Sequence, residues 1–255
     1  MEKRLAEEFA IFTDLTGDFP FADEASRAHA FCLWVVQAVS EKIDGPTPLH
    51  VIEGPSGVGK SLLAEVLLIQ EGGKDLDVMT LGRNEDEIRK RLNGPIQRGD
   101  TVVIDNVNRK LGASCLECML TARAYQDRVL GKKETFTVPI TSIFVANGCE
   151  MRMSEEMARR SVGIKLESGP IPPTEEAKFL HPDLWSYARG LRGVISDAIR
   201  ELTKWECVIG PATPYSGPVL GGFEQWSRLM GAICEEVGLL GFLGNARENW
   251  ERWTG

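Results

Sequence analysis

Eight residues, Gly54-Pro-Ser-Gly-Val-Gly-Lys60-Ser61, constrain the fold of this 255-residue chain more than any other feature. Glycines at 54, 57 and 59 let the backbone curl until successive N–H groups face one anion. A helix beginning at the end of such a loop points its positive pole at the same place. The loop therefore needs a strand to enter it and a helix to leave it, and the flanks supply both. Leu49 to Ile52 is a short apolar run behind Pro46 and Pro48, and Ser61 to Gln70 reads as an amphipathic helix stopped by Gly72 and Gly73. Lys60 is placed to reach the β- and γ-phosphates of a nucleoside triphosphate, and the Ser61 hydroxyl to ligand Mg²⁺. Pro55, Ser56, Val58 and Leu62 complete the expected cradle.

The rest of the first two-thirds alternates strands with helices. Residues 24–41 read as an amphipathic helix, Asp77–Leu81 as a strand and Glu85–Leu92 as a charged helix. Thr101–Val107 is a continuous β-branched run, as in a strand covered on both faces. Cys115–Tyr125 reads as a helix, and Gly131, Lys132 and Lys133 mark a hairpin turn within Val129–Val138. Ser142–Ala146 reads as a strand, Ser154–Arg160 as a short helix and Val162–Leu166 as a last strand. This βαβ series predicts an α/β class with a parallel sheet between helices. At Gly169-Pro-Ile-Pro-Pro173 the strand signals stop, and helical segments near 183–205 and 223–239 follow. The expected division is a core at 1–168 and a smaller helical domain at 169–255.

Three further elements carry candidate chemistry. Asp105, at the carboxyl end of a buried strand downstream of the loop, suits the water shell of a metal ion. Asn106 follows it where a proton-accepting glutamate would serve hydrolysis, so the general base is open, with Glu53 and Glu117 as nearby carboxylates. Asn147 ends an apolar strand with a polar amide able to orient a water. Arg159 and Arg160, just before the last strand, could neutralise transition-state charge on a neighbouring subunit's phosphate.

Charge is unevenly spread. The net formal charge of −8 excludes a uniformly basic nucleic-acid coat. Residues 1–53 carry 4 basic and 10 acidic groups, whereas 83–133 carry 11 basic and 7 acidic. The middle segment, including Lys132 and Lys133, is therefore the place to expect a DNA contact. No apolar stretch is long enough to span a membrane, and the start MEKRLAEEFA is too charged for a secretion signal. Six dispersed cysteines give no disulfide framework. A cytoplasmic setting is the expectation, in a prokaryote or a phage-infected host.

In order, the elements resemble those of AAA+ ATPases: phosphate loop, aspartate strand, Asn-ended strand, paired arginines before a final strand, then a helical lid. The resemblance implies ATP and Mg²⁺ as cofactors and Asn147 as a sensor of the γ-phosphate. It also implies Arg160, with Arg159 second, as the arginine finger, and Arg192 or Arg189 as a lid arginine. A narrower likeness runs through Asp18-Phe-Pro-Phe-Ala-Asp-Glu-Ala-Ser-Arg27, Gly45-Pro-Thr-Pro-Leu49, Ile104-Asp-Asn-Val107, Asp127-Arg-Val-Leu-Gly131, Met157-Ala-Arg-Arg160 and Phe223-Glu-Gln-Trp-Ser227. These stretches resemble the ATPase/helicase domain of phage and plasmid replication proteins, in which Asn also follows the aspartate. The implied protein is a helicase-like motor, assembled as a ring or filament, acting on DNA beside a replication partner. A nucleotide-dependent loader with weak hydrolysis is the alternative.

Overall fold

The computed structural model describes residues 2–69, 76–128, 132–167, 179–209 and 215–255. Gly72 and Gly73, residues 129–131 of the expected hairpin segment and the Pro-rich stretch 169–173 lie outside the described residues.

Five strands form one parallel sheet: β1 (Leu49–Glu53), β2 (Val78–Thr80), β3 (Val102–Val107), β6 (Phe144–Gly148) and β7 (Ser161–Lys165). Their order is β2-β3-β6-β1-β7. Every residue of β1 and β6 is buried, as expected of parallel strands covered on both faces. Alternate side chains feed two apolar clusters. Ile52, Val103 and Val145 face one, and Val51, Ile104 and Ala146 face the other.

Helices α1 (Glu2–Thr16), α2 (Glu24–Val39), α3 (Lys60–Leu67), α7 (Leu184–Gly190), α8 (Arg192–Ile209) and α9 (Glu224–Glu236) belong to the first face. There Trp34 and Trp226 sit in the same cluster as Phe12, Phe31, Ala188 and Met230. The second face carries α4 (Glu85–Arg98), α5 (Ser114–Met119), α6 (Glu155–Ala158) and α10 (Ala246–Thr254), with Trp253 in its cluster. Helices from beyond residue 169 thus pack on both faces of the sheet. No described helix is long and apolar enough to cross a membrane. The fold is an α/β sandwich with a parallel sheet between helices, its glycine-rich loop joining β1 to α3.

Several expected boundaries move. The helix expected over Cys115–Tyr125 ends at Met119, and Ala124 already opens β4 (Ala124–Arg128), paired antiparallel with β5 (Thr135–Pro139). Tyr125 and Phe136 pack together beneath this hairpin, so a two-residue period wins over the helical one. Helix α4 runs on from Leu92 through Pro95 to Arg98 and stops at Gly99 (φ 69°), where the left-handed cap requires glycine. Helices α1 and α10 were not anticipated from the pattern.

Candidate functional site

Because all five strands run the same way, their carboxyl ends form one edge, and the glycine-rich loop leaves β1 there. Gly59 has φ 93° and ψ 18°, the left-handed turn that starts α3. Gly54 must lack a side chain, since a Cβ would meet the Leu166 carbonyl oxygen at 2.5 Å. The Lys60 ammonium turns back onto the loop, donating to the carbonyls of Gly54 (2.8 Å) and Pro55 (2.6 Å), with the Cys149 thiol 3.6 Å away. A phosphate in the loop would compete with those carbonyls for the ammonium. Pro55, Ser56 and Gly57 are exposed, while Val58 and Leu62 are half-buried.

Sheet order decides which groups meet the loop. With β6 between β1 and β3, Asn147 stands between the helix start and Asp105. The Ser61 hydroxyl donates to Asp105 Oδ1 at 3.1 Å, and Asn147 Nδ2 lies 3.5 Å from the same hydroxyl oxygen. Asn147 is 2 % exposed, and its Oδ1 accepts the Asn106 N–H at 2.9 Å, which fixes the orientation of its amide. A hydroxyl and a carboxylate in contact are the hard oxygen donors that suit Mg²⁺. Among the described residues no group of three or more His, Cys, Asp or Glu side chains could hold a metal. Ser61 and Asp105 would therefore hold a magnesium ion jointly with phosphate oxygens and water.

The oddity at position 106 acquires a backbone reason. Asn106 has φ 54°, and the β3–β6 register shifts between Ile104 and Val107. Asparagine tolerates this left-handed conformation better than glutamate does. Its exposed side chain is an amide that accepts no proton at neutral pH. Both carboxylates considered as substitutes are engaged elsewhere. Glu53, 6 % exposed, accepts from Met151 N (3.0 Å), Arg252 Nη2 (2.8 Å) and Trp253 Nε1 (2.9 Å). Glu117 accepts the Ser154 hydroxyl at 2.5 Å.

Arg159 and Arg160 fall on the opposite edge of the sheet. The Arg160 carbonyl accepts the Leu49 N–H (2.9 Å) at the beginning of β1, whereas the loop leaves the end of that strand. Four residue steps separate the two levels, roughly 13 Å at strand spacing. One carboxylate holds both arginines: Glu156 Oε2 is 2.7 Å from Arg159 Nη2 and 2.5 Å from Arg160 Nη1. Those bonds, Arg159's first, hold the Glu156 carboxyl below its usual range. Arg160 is 14 % exposed, and its Nε is buried without a hydrogen-bond partner. Arg192 opens α8, and α7, whose Arg189 stacks on Trp185 at 4.2 Å, packs against α3.

Within the basic middle segment, Asp127 locks the β4–β5 hairpin to α4. It accepts from Asn93 (2.8 Å), Arg89 (3.4 Å) and the Tyr125 hydroxyl (3.3 Å). Burial pushes its carboxyl up, but these hydrogen bonds outweigh it and hold the group below the usual range. Arg128, Lys132 and Lys133 are exposed on this arm, with Lys132 3.9 Å from Glu134.

Neither a family model nor a curated protein matches the chain. Solved structures give a weak likeness of shape. The C-terminal region of NrS-1 is 12% identical with TM-score 0.43, over 91% of this chain and 51% of that one. An active helicase, Cch of SCCmec type IV, is 12% identical with TM-score 0.43, over 89% and 46%. The JCV helicase is 17% identical with TM-score 0.34, over 97% and 73%. This chain spans about half the length of the first two.

Proposed function

We propose that the chain is an ATP-hydrolysing, AAA+-type motor, helicase-like, that assists DNA replication of a phage or mobile element and works as an oligomer. The observation that carries this reading is the convergence of Lys60, Ser61, Asp105 and Asn147 on one sheet edge. In it, residues 1–168 form the ATPase core and 169–255 a helical cover from which Arg192 approaches the nucleotide. Backbone N–H groups of Gly54–Ser61 cradle the phosphates, Lys60 neutralises the β- and γ-oxygens, and Asn147 orients the attacking water. Ser61 and Asp105 hold Mg²⁺, which when bound neutralises charge developing on the phosphates. Arg160, with Arg159 beside it, reaches the site of the next subunit in the ring or filament. DNA runs along 83–133, with Lys132 and Lys133 on its backbone. The test is ATP-driven strand displacement by the purified chain. Unwinding lost in Lys60→Ala supports the motor, and a folded chain that neither hydrolyses ATP nor moves a strand ends it.

One observation favours a second reading. Asn106 cannot act as a base, and Glu53 and Glu117 already have hydrogen-bond donors. A nucleotide-dependent loader needs no fast hydrolysis. ATP-dependent capture of a replication protein without unwinding would decide for it.

A further inference from the structure

Glu53 is a buried carboxylate that sits immediately before the loop. Its two oxygens join two segments that are distant from it in sequence. Oε1 accepts the Met151 N–H from the turn after β6, and Oε2 accepts from both Arg252 and Trp253 of α10. The same turn carries Cys149, 3.6 Å from the Lys60 ammonium, and its Met153 N–H donates to the Trp253 carbonyl at 2.9 Å. From Arg252 a polar chain continues inward: Nη2 donates to Asn249 Oδ1 (2.8 Å), Asn249 Nδ2 to Asn245 Oδ1 (2.9 Å), and Asn245 Nδ2 to Asp23 Oδ1 (3.2 Å). Gly163 makes room for this chain, since a Cβ there would lie 2.3 Å from Asn249 Nδ2. Asp23 in turn caps α2 through Ser26 N–H at 2.6 Å.

We propose that Glu53 is a positioning residue that ties the phosphate loop to the C-terminal helix, so that nucleotide occupancy and the docking of α10 are linked. The inference rests on the reading that Gly54–Ser61 binds a nucleotide. Gly54 follows Glu53 directly and its N–H donates to the Gly148 carbonyl at 3.3 Å, so a loop that tightens around phosphate moves Gly54 and the 148–151 turn together, and with them the partners of the Glu53 carboxylate. A buried carboxylate with three donors tolerates little displacement, because each lost bond leaves a desolvated charge. Any movement at the loop is therefore shared with Arg252 and Trp253, and linkage makes the effect reciprocal. Helix α10 becomes a remote handle on nucleotide affinity.

The experiment uses the full chain with Mg²⁺ and a slowly hydrolysed ATP analogue. Amide hydrogen exchange is followed at 246–254, and nucleotide affinity is measured by calorimetry. Trp253→Phe removes the indole N–H along with the five-membered ring and keeps one aromatic ring in the core; Arg252→Gln removes the ion pair, and Arg252→Lys restores a charged donor. The expected result is exchange in α10 slowed by nucleotide in the wild type. In Trp253→Phe and Arg252→Gln that response should be lost and affinity weakened by about fivefold or more, with partial rescue in Arg252→Lys. Equal exchange with and without bound nucleotide, or wild-type affinity in both variants, would overturn the proposal and leave Glu53 a structural anchor. Absence of nucleotide binding to the wild type would instead overturn the reading beneath it.

Discussion

The proposed site, divided between two sheet edges, makes a quantitative prediction for mixed assemblies. Lys60 follows the end of β1, while Arg160 is hydrogen-bonded beside its beginning, roughly 13 Å back along the strand. One subunit does not bring both groups to one phosphate, so in the proposed oligomer each site would take its loop from one chain and its arginine from the next. Lys60→Ala and the double variant Arg159→Ala/Arg160→Ala are each expected to be inactive, the latter down by about 10³. In a head-to-tail ring each interface pairs one chain's loop with its neighbour's arginine edge. When the two variants are mixed 1:1, an intact loop meets an intact arginine pair at about a quarter of the interfaces. Turnover should recover to about a quarter of wild type, whatever the ring size, provided that sites fire independently. The assay is phosphate release across a series of mixing ratios, after circular dichroism shows both variants folded, with a maximum expected at equal amounts. A flat line at zero throughout the series would refute the split site, as would full activity in the double arginine variant alone.

Three other outcomes follow from particular contacts. Asn106→Glu should not accelerate hydrolysis and should cost about 1 kcal/mol of stability, because position 106 is left-handed; faster turnover by that variant would contradict the backbone account. Ser61→Ala and Asp105→Asn should each weaken binding of the magnesium nucleotide much more than binding of nucleotide with EDTA, measured by fluorescent-analogue titration. Equal losses in both conditions would move the cation elsewhere. His29 and His50 are held neutral, burial pushing them down to about 4 and about 3. Since the unfolded chain takes up protons below about pH 6.5, their contribution is whole above that value and is lost as the pH falls towards 4 and 3. At pH 5 each costs about 2 kcal/mol, so urea midpoints should drop steeply between pH 7 and pH 5. A flat profile would show that these rings are not buried neutral.

How much of this was legible in the sequence differs from element to element. The loop could be read because its chemistry depends on eight adjacent residues. The strands carrying Asp105 and Asn147 could be read because burial on both faces leaves uninterrupted apolar runs. The insertion of β6 between β1 and β3 depends on pairings between distant residues, yet it is what brings Asn147 to Ser61. The role of Asn106 was hidden for a related reason, since a left-handed φ leaves no periodic trace. Helix α10 was missed because Ala-Arg-Glu-Asn-Trp-Glu-Arg-Trp-Thr shows one buried aromatic anchor, Trp253, and otherwise holds to the core through hydrogen bonds from Arg252 and from the preceding Asn245. Glu53 looked available for chemistry because nothing local in the sequence announces donors two hundred residues away.

Calorimetric titration of magnesium–ATP into the folded chain tests the central claim most directly. The account predicts saturable binding at one site per chain, weakened at least tenfold in Lys60→Ala. No heat from folded protein, or undiminished affinity in Lys60→Ala, would contradict it.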